Sequence, residues 1–256
     1  MRLATIISAW ADSLELLPYC IHNHLQFADS VIVVWSETSN HKVKDARMKD
    51  FVYKHDFANV IFHQLEPVNY HYPLDSEMRK RNTGLDVARS HGFTHFLLAD
   101  ADEFYEADEV EKEKERFVKE KPLQGLVCGL KVYIKHPTLC TVDPTLIPFI
   151  HTLTSKSKVV KNPYYPFAYD RKKAVMDPGR RLNVLDGVEW SKVVMHHMSY
   201  VRIDINQKIN NSTATNLRKH RDLIDHDLKN AAPGVMSLWY KHEIAECDNK
   251  FNLPIW

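Results

Sequence analysis

Two aspartates separated by one alanine, Asp100 and Asp102, stand at the end of the apolar run Phe96-Leu97-Leu98-Ala99. Such a run predicts a strand covered on both faces, as in the parallel and mixed sheets of α/β proteins. If the extended geometry persists, side chains alternate with period two and both carboxylates project to the same side. Two hard oxygen donors so placed suit Mg²⁺ or Mn²⁺, which normally share their shell with waters and a substrate phosphate. That chemistry fits a diphosphate ligand. The other reading is a helix cap or a turn. The strand end favours the first, because open α/β sheets bind ligands beyond the carboxyl ends of their strands.

The preceding stretch, Met78 to Ala88, reads Met-Arg-Lys-Arg-Asn-Thr-Gly-Leu-Asp-Val-Ala. Arg81 shares a helical face with Leu85 and Ala88, which asks for an anionic partner unless the arginine snorkels to solvent. With Phe93 to Phe104 behind it, the whole resembles the Arg-Asn-x-Gly-Leu and Asp-x-Asp pattern of family 2-like glycosyltransferases of the GT-A fold. The resemblance implies a metal-bound nucleotide-diphosphate sugar, with Asp100 near the ribose or metal and Asp102 a metal ligand. A second segment, Trp190 to Arg202, ends in His196-His197-Met198-Ser199-Tyr200. With Lys208 downstream it resembles the late histidine segment of family 17-like relatives, which implies His197 as a third ligand beside Asp100 and Asp102. Without the resemblance, paired histidines on a strand read as structural.

The composition leaves this open. A chain of 256 residues with 44% hydrophobic and 26% charged content is ordinary globular material, and disorder does not dominate it. A net charge of +1 advertises no nucleic-acid binder, although local basic clusters exist in Arg171-Lys172-Lys173, Arg180-Arg181 and Arg218 to Arg221. Four scattered cysteines without a C-x-x-C pair argue against zinc and a disulfide scaffold, and fit a reduced, cytoplasmic setting. No stretch reaches the length of a transmembrane helix. Neither G-x-G-x-x-G nor a Walker A sequence is present, so the anion cradles of dinucleotide dehydrogenases and P-loop kinases are missing.

The positioning elements follow from periodicity. Leu3 to Ser8 is a first strand, leaving Ser8, Ala9 and Trp10 at the carboxyl edge where a nucleotide would sit; Trp10 either stacks on a base or covers the sheet edge. A helix over 13–26 with Asp12 as N-cap must start late or kink at Pro18. Ser30 to Trp35 is the second strand, followed by Ser36 and Glu37 where family 2 enzymes carry aspartates for base and ribose; Glu37 is either that contact or a loop charge. Further expectations are a helix over 43–55, a strand over 59–63, a helix over 76–90, a helix over 108–120 capped by Asp108, and a strand over 124–134. A proline-punctuated stretch with little periodicity comes next. Its aromatics Phe149, Tyr164, Tyr165, Phe167 and Tyr169 form either a sugar platform or core. Helices over 203–211 and 216–230 and a strand over 236–240 complete the chain.

The expected fold is α/β of GT-A type, a mixed central sheet flanked by helices with a helical C-terminal extension. Its expected parts are a donor and metal half over 1–134, an acceptor-side half over 135–202 and an extension over 203–256, one continuous catalytic domain. The expected activity is metal-dependent transfer of a sugar from a nucleotide-diphosphate donor to a hydroxyl acceptor, a saccharide or glycan. Donor contacts are Ser8, Trp10, Glu37, Arg81 and Asp100, and the metal ligands of Mn²⁺ or Mg²⁺ are Asp100, Asp102 and His197. An inverting enzyme needs a carboxylate base, for which Asp186 and Glu189 stand just before the histidine strand, with Asp177 behind them. The alternatives are transfer to a hydroxylated base in DNA, a nucleotidyltransferase, and a non-catalytic nucleotide-binding module.

Overall fold

The first strand, β1 (Leu3–Ala9), is buried along nearly its whole length and organises the molecule. In the computed structural model, which describes residues 1–66, 68, 72–120, 125–161, 175–176, 178–183, 188–213 and 215–255, it is followed by a 3₁₀ turn at Ala11–Ser13 and helix α1 (Leu17–His24). Pro18 lies in the first turn of α1, where its missing N–H costs nothing, so the expected helix over 13–26 starts late. Strand β2 (Ser30–Trp35), helix α2 (Arg47–Lys54), strand β3 (Val60–Gln64), helix α3 (Pro73–Ser90) and strand β4 (His95–Asp100) continue the alternation.

All four strands run parallel in the order β3-β2-β1-β4. The chain therefore winds outward from β1 on one side and returns to its other side at β4. Such a reversal opens a crevice at the carboxyl ends of the two central strands. The register aligns Ser8 with Asp100 on one side and with Val34 on the other, so the polar ends of β1 and β4 share one edge.

The second half is antiparallel and mixed. A short strand β5 (Glu103–Phe104) precedes helix α4 (Ala107–Glu120), strand β6 (Gly125–Ile134), strand β7 (Leu139–Thr152), the two-residue β8 (Val175–Met176) and strand β9 (Val188–Tyr200). The sheet continues β4-β7-β6-β9-β5, with β7 antiparallel to β4 and β6, and β9 parallel to β6. Helices α5 (Ile205–Asn211), α6 (Thr215–Lys219) and α7 (Arg221–Asn230) form the extension, and β10 (Ala245–Glu246) returns to pair with β7. The expectation of a mixed sheet flanked by helices thus holds.

Several expected elements differ. Strand β7 falls where periodicity was lacking, because Pro144 and Pro148 interrupt it; the β6–β7 register shifts between Gly125 and Val127 and between Cys128 and Leu130, and such irregularities accommodate residues without an N–H. Residues 236–240 do not form a strand; Met236 makes an isolated bridge to Glu243 and the pairing moves to Ala245 and Glu246. Helix α4 begins one residue before Asp108, with the Glu106 carbonyl accepting from the amides of Glu109 and Val110. The second extension helix breaks at His220 into α6 and α7.

One close approach sets the position of α3. A Cβ at Gly84 would lie 2.2 Å from Ile6 Cγ2 and 3.3 Å from Val34 Cγ2, so the helix rests on β1 and β2 at a distance only glycine permits. Its first turns consequently lie over the carboxyl ends of those strands.

Candidate active site

The crevice at the ends of β1 and β4 is a cavity of about 230 Å³, lined by Ser8, Trp10, Asp12, Lys80, Asp100 and Asp102 together with His197, Arg202 and Lys208 from the second half. Asp100 and Asp102 do not reach it by continued alternation: Ala101 and Asp102 form a turn between β4 and β5. Each carboxylate instead has its own set of cations.

Asp100 accepts from Arg81 Nη2 at 2.9 Å through Oδ1 and from Arg180 Nη2 at 2.9 Å through Oδ2. Arg81 is 1% exposed and also pairs with Glu77 at 2.7 Å, one turn back on α3, so the anionic partner its position demanded is present. Arg180, equally buried, comes from the 3₁₀ turn Pro178–Arg180 and also bonds Glu103 on both oxygens, at 2.7 Å through Nη1. Arg180 is therefore no part of a surface basic cluster; it is an internal tie between the loop before β9 and the acidic turn. Burial opposes ionisation of Asp100, but Arg180 and Arg81 outweigh it and hold its carboxyl far below the usual range.

Asp102 is fully buried. Its Oδ2 accepts from Arg202 Nη2 at 2.5 Å and Lys208 Nζ at 2.7 Å. The pairing of β5 with β9 sets Glu103 opposite His197 and Phe104 opposite His196, and this delivers His197 Nε2 to 3.5 Å from Asp102 Oδ1. Burial works against the Asp102 anion, yet Lys208 and Arg202 keep its carboxyl well below the ordinary value. His197 shows the converse: burial would lower it, and Asp102 raises it above the ordinary imidazole value.

Four side-chain atoms lining the cavity are buried and have no hydrogen-bond partner among the described residues: Ser8 Oγ, Trp10 Nε1, Asn40 Oδ1 and Asp102 Oδ1. Unmet polar atoms are costly inside a protein, and their convergence on one cavity leaves donors and acceptors that a ligand could satisfy. Trp10 is 4% exposed, so it covers the sheet edge and offers its indole N–H.

A divalent cation can be tested against these residues. Among the described residues, Asp102, Glu103 and His197 bring potential ligand atoms within 4.8 Å of one another. Glu103 is already committed to Arg180 and, through Oε2, to the Asp100 amide at 2.9 Å. Asp102 Oδ1 and His197 Nε2 remain, a two-ligand set that suits a Mg²⁺ or Mn²⁺ ion keeping its other positions for water and phosphate oxygens. Both Asp100 oxygens are held by guanidinium groups.

Two expected site residues are not brought here. Glu37 is half-buried and lies 3.6 Å from Lys49 Nζ, and Asn40 occupies the cavity wall in its place. Glu189 sits at the start of β9, eight residues or about 26 Å of extended chain from His197. It bonds Arg116 Nη1 at 2.9 Å, on α4. Asp186, Asp177, Tyr164, Tyr165, Phe167, Tyr169 and the Arg171-Lys172-Lys173 cluster lie outside the described residues. Phe149 is a core residue. Lys80, Asn40 and Arg202 were not singled out by their sequence context; for Lys80 the one signal was adjacency to Arg81 on a helix leading to the acidic turn.

No protein-family model matches this chain, and no curated protein matches it. Among solved structures, residues 1–349 of TarS from S. aureus share 16% identity with it at a TM-score of 0.47, over 90% of this chain and 71% of that one. The same TarS fragment in complex with UDP gives a TM-score of 0.48 at 16% identity, over 90% and 71% of the two chains. Its complex with UDP-GlcNAc gives 0.46 at 17%, over 90% and 72%. Likeness at this level assigns neither an activity nor a ligand to this chain.

Proposed function

We propose that this chain is a glycosyltransferase of the GT-A type that takes a sugar from a nucleotide-diphosphate donor to a hydroxyl acceptor, a saccharide or glycan. One observation carries the reading: unmet donors and acceptors converge with the Asp102–His197 pair on a cavity at the switch point of the parallel half. Ser8 and Trp10 offer hydrogen bonds from the end of β1, and Asn40 closes the side toward β2. Arg81 and Arg180 fix Asp100 so that its carboxylate faces the cavity in one orientation. Arg202 and Lys208 do the same for Asp102, leaving Oδ1 with His197 as the place for Mn²⁺ or Mg²⁺. When bound, such an ion supplies Lewis-acid stabilisation of negative charge on a departing nucleoside diphosphate. Lys208 and Arg202 supply fixed positive charge to the same region. Asp186, with Asp177 behind it, remains as a candidate for an acceptor base, since Glu189 is held by Arg116 at the far end of β9.

The test is thermal stabilisation by UDP, GDP, CDP and ADP with and without Mn²⁺, in the parent and in Asp102→Ala and His197→Ala. A nucleotide at 100 times its dissociation constant contributes about 2.7 kcal/mol. Stabilisation that needs the ion in the parent and is lost in both variants supports the reading. Stabilisation by none of the nucleotides, or release of pyrophosphate in place of a nucleoside diphosphate during turnover, refutes it.

A further inference from the structure

Lys80 is a lysine in an unusual place. It is 3% exposed, and among the described residues its ammonium makes a single hydrogen bond, at 3.4 Å to the carbonyl of Ala9. The local reason is helical geometry. Gly84 presses α3 onto Ile6 and Val34, and Lys80, four residues earlier, lies on the same face one turn closer to the carboxyl ends of the strands. Its side chain therefore runs over the end of β1 into the cavity, while Arg81, rotated by about 100° on the helix, turns to Asp100.

Every other cation around the cavity, among the described residues, is committed. Arg81 holds Asp100 and Glu77, Arg180 holds Asp100 and Glu103, and Arg202 and Lys208 hold Asp102. Lys80 enters no ion pair with any described residue. A buried ammonium without a carboxylate is costly, and one long bond to a carbonyl does not offset that cost. Beside it, Ser8 Oγ and Trp10 Nε1 are without hydrogen-bond partners among the described residues. Three donors short of acceptors on one wall describe a site for anionic oxygens. Burial lowers Lys80 to about 8, against the pull of Asp12, Glu77 and Asp100.

We propose that Lys80 is the anion-gripping residue of this cavity, its ammonium bonding the diphosphate of the donor with Ser8 Oγ and Trp10 Nε1 alongside. The proposal rests on the nucleotide-sugar reading and adds to it a named phosphate contact that is neither the metal pair nor an arginine. Its consequence is selectivity: Lys80 adds to the cavity's preference for diphosphates over nucleosides.

The experiment is isothermal titration, with Mn²⁺ present throughout, of the parent, Lys80→Met and Lys80→Arg with inorganic pyrophosphate, with UDP, GDP, CDP and ADP, and with the four nucleosides. Removing a charge-assisted contact predicts that Lys80→Met binds pyrophosphate and any accepted diphosphate about 10- to 100-fold more weakly. Nucleoside affinity changes by ~2-fold or less, and Lys80→Arg loses less than Lys80→Met. Equal loss for nucleosides and diphosphates overturns the proposal, because it indicates a distorted cavity in place of a lost contact. Unchanged diphosphate binding overturns it as well, while leaving the donor reading standing. If pyrophosphate alone binds the parent and Lys80→Met loses it, the anion site stands and the nucleotide-sugar reading falls; if nothing binds, both fall. Should Lys80→Met fail to fold by circular dichroism, Lys80→Gln, which keeps a donor without the charge, is titrated in its place with the same expected losses.

Discussion

Replacing Arg180 by leucine tests the electrostatic architecture of the site directly. In the parent the buried guanidinium ties Asp100 and Glu103 together and reaches the Leu98 carbonyl at 3.3 Å. Leucine fills part of the volume and leaves Glu103, 1% exposed, without its cation, and Asp100 with Arg81 alone. Breaking a buried pair from one side costs about 3–5 kcal/mol, because a charge is left uncompensated. The lower end applies, since the Asp100 side chain is 32% exposed and Arg81 stays in place. For a chain of this size each kcal/mol moves the melting temperature by about 2–4 °C, so a drop of roughly 6–12 °C is expected at pH 7.5. The pH dependence gives a sharper check. In the parent, Asp100 has a lowered carboxyl, so its contribution is present above the unfolded value near 4 and is lost as pH falls below it. In Arg180→Leu the two carboxyls titrate higher, and the penalty relaxes as pH falls through those raised values. Melting curves of both proteins at pH 7.5, 6 and 4.5 should converge. A deficit under about 2 °C at pH 7.5, or one that stays constant with pH, refutes the assignment of Arg180 as a load on two carboxylates.

Four further outcomes follow from the same structure. His197 should titrate above the ordinary imidazole value by NMR, and Asp102→Asn should bring it down; because its folded value is raised, its contribution is full below about 6.5 and fades as pH rises through the raised value. Four imidazoles, His24, His95 and His196 lowered to about 4 and His151 to about 3, bind protons chiefly on unfolding, so stability should fall as pH is lowered, with a slope approaching ~5 kcal/mol per pH unit near pH 5. That slope is read from urea midpoints across pH 7 to 4.5. Gly84→Ala sets a methyl 2.2 Å from Ile6 Cγ2, so chemical denaturation should show a loss of about 1–3 kcal/mol, with weaker nucleotide binding as α3 lifts. Glu189→Gln, by contrast, breaks a half-exposed pair with Arg116 and should cost about 1 kcal/mol or less, with turnover unchanged within ~2-fold.

The parallel half was legible in the sequence for a simple reason. Continuous apolar runs such as Val31 to Trp35 and Phe96 to Ala99 can be buried on both faces only in an α/β sheet, and they end where chemistry sits. Arg81 was legible for the same reason, as a cation on an apolar helical face. Strand β7 was hidden because its prolines erased the alternation that the bulged register tolerates. The partners of the two aspartates were hidden more deeply. Arg180 looked like half of a surface pair with Arg181, and nothing local reveals that it crosses 80 residues to Asp100. Glu189 looked close to the histidines because eight residues is a short interval in sequence, whereas along an extended strand it spans the molecule.

The binding cavity is assembled from distant parts of the chain. Asp102 meets Lys208 across 106 residues, and Arg202 donates to the carbonyl of Asp12 across 190. Contacts of such separation pay their loop-closure entropy late, after the local strand–helix units have formed. During synthesis the parallel half emerges first, and Asp102 lacks its full set of cations until the chain has passed residue 208. A protein cut before α5 would then keep most of its sheet and Arg202 yet lose Lys208, so that Asp102 would be left with one of its two cations and the acidic turn would be weakened.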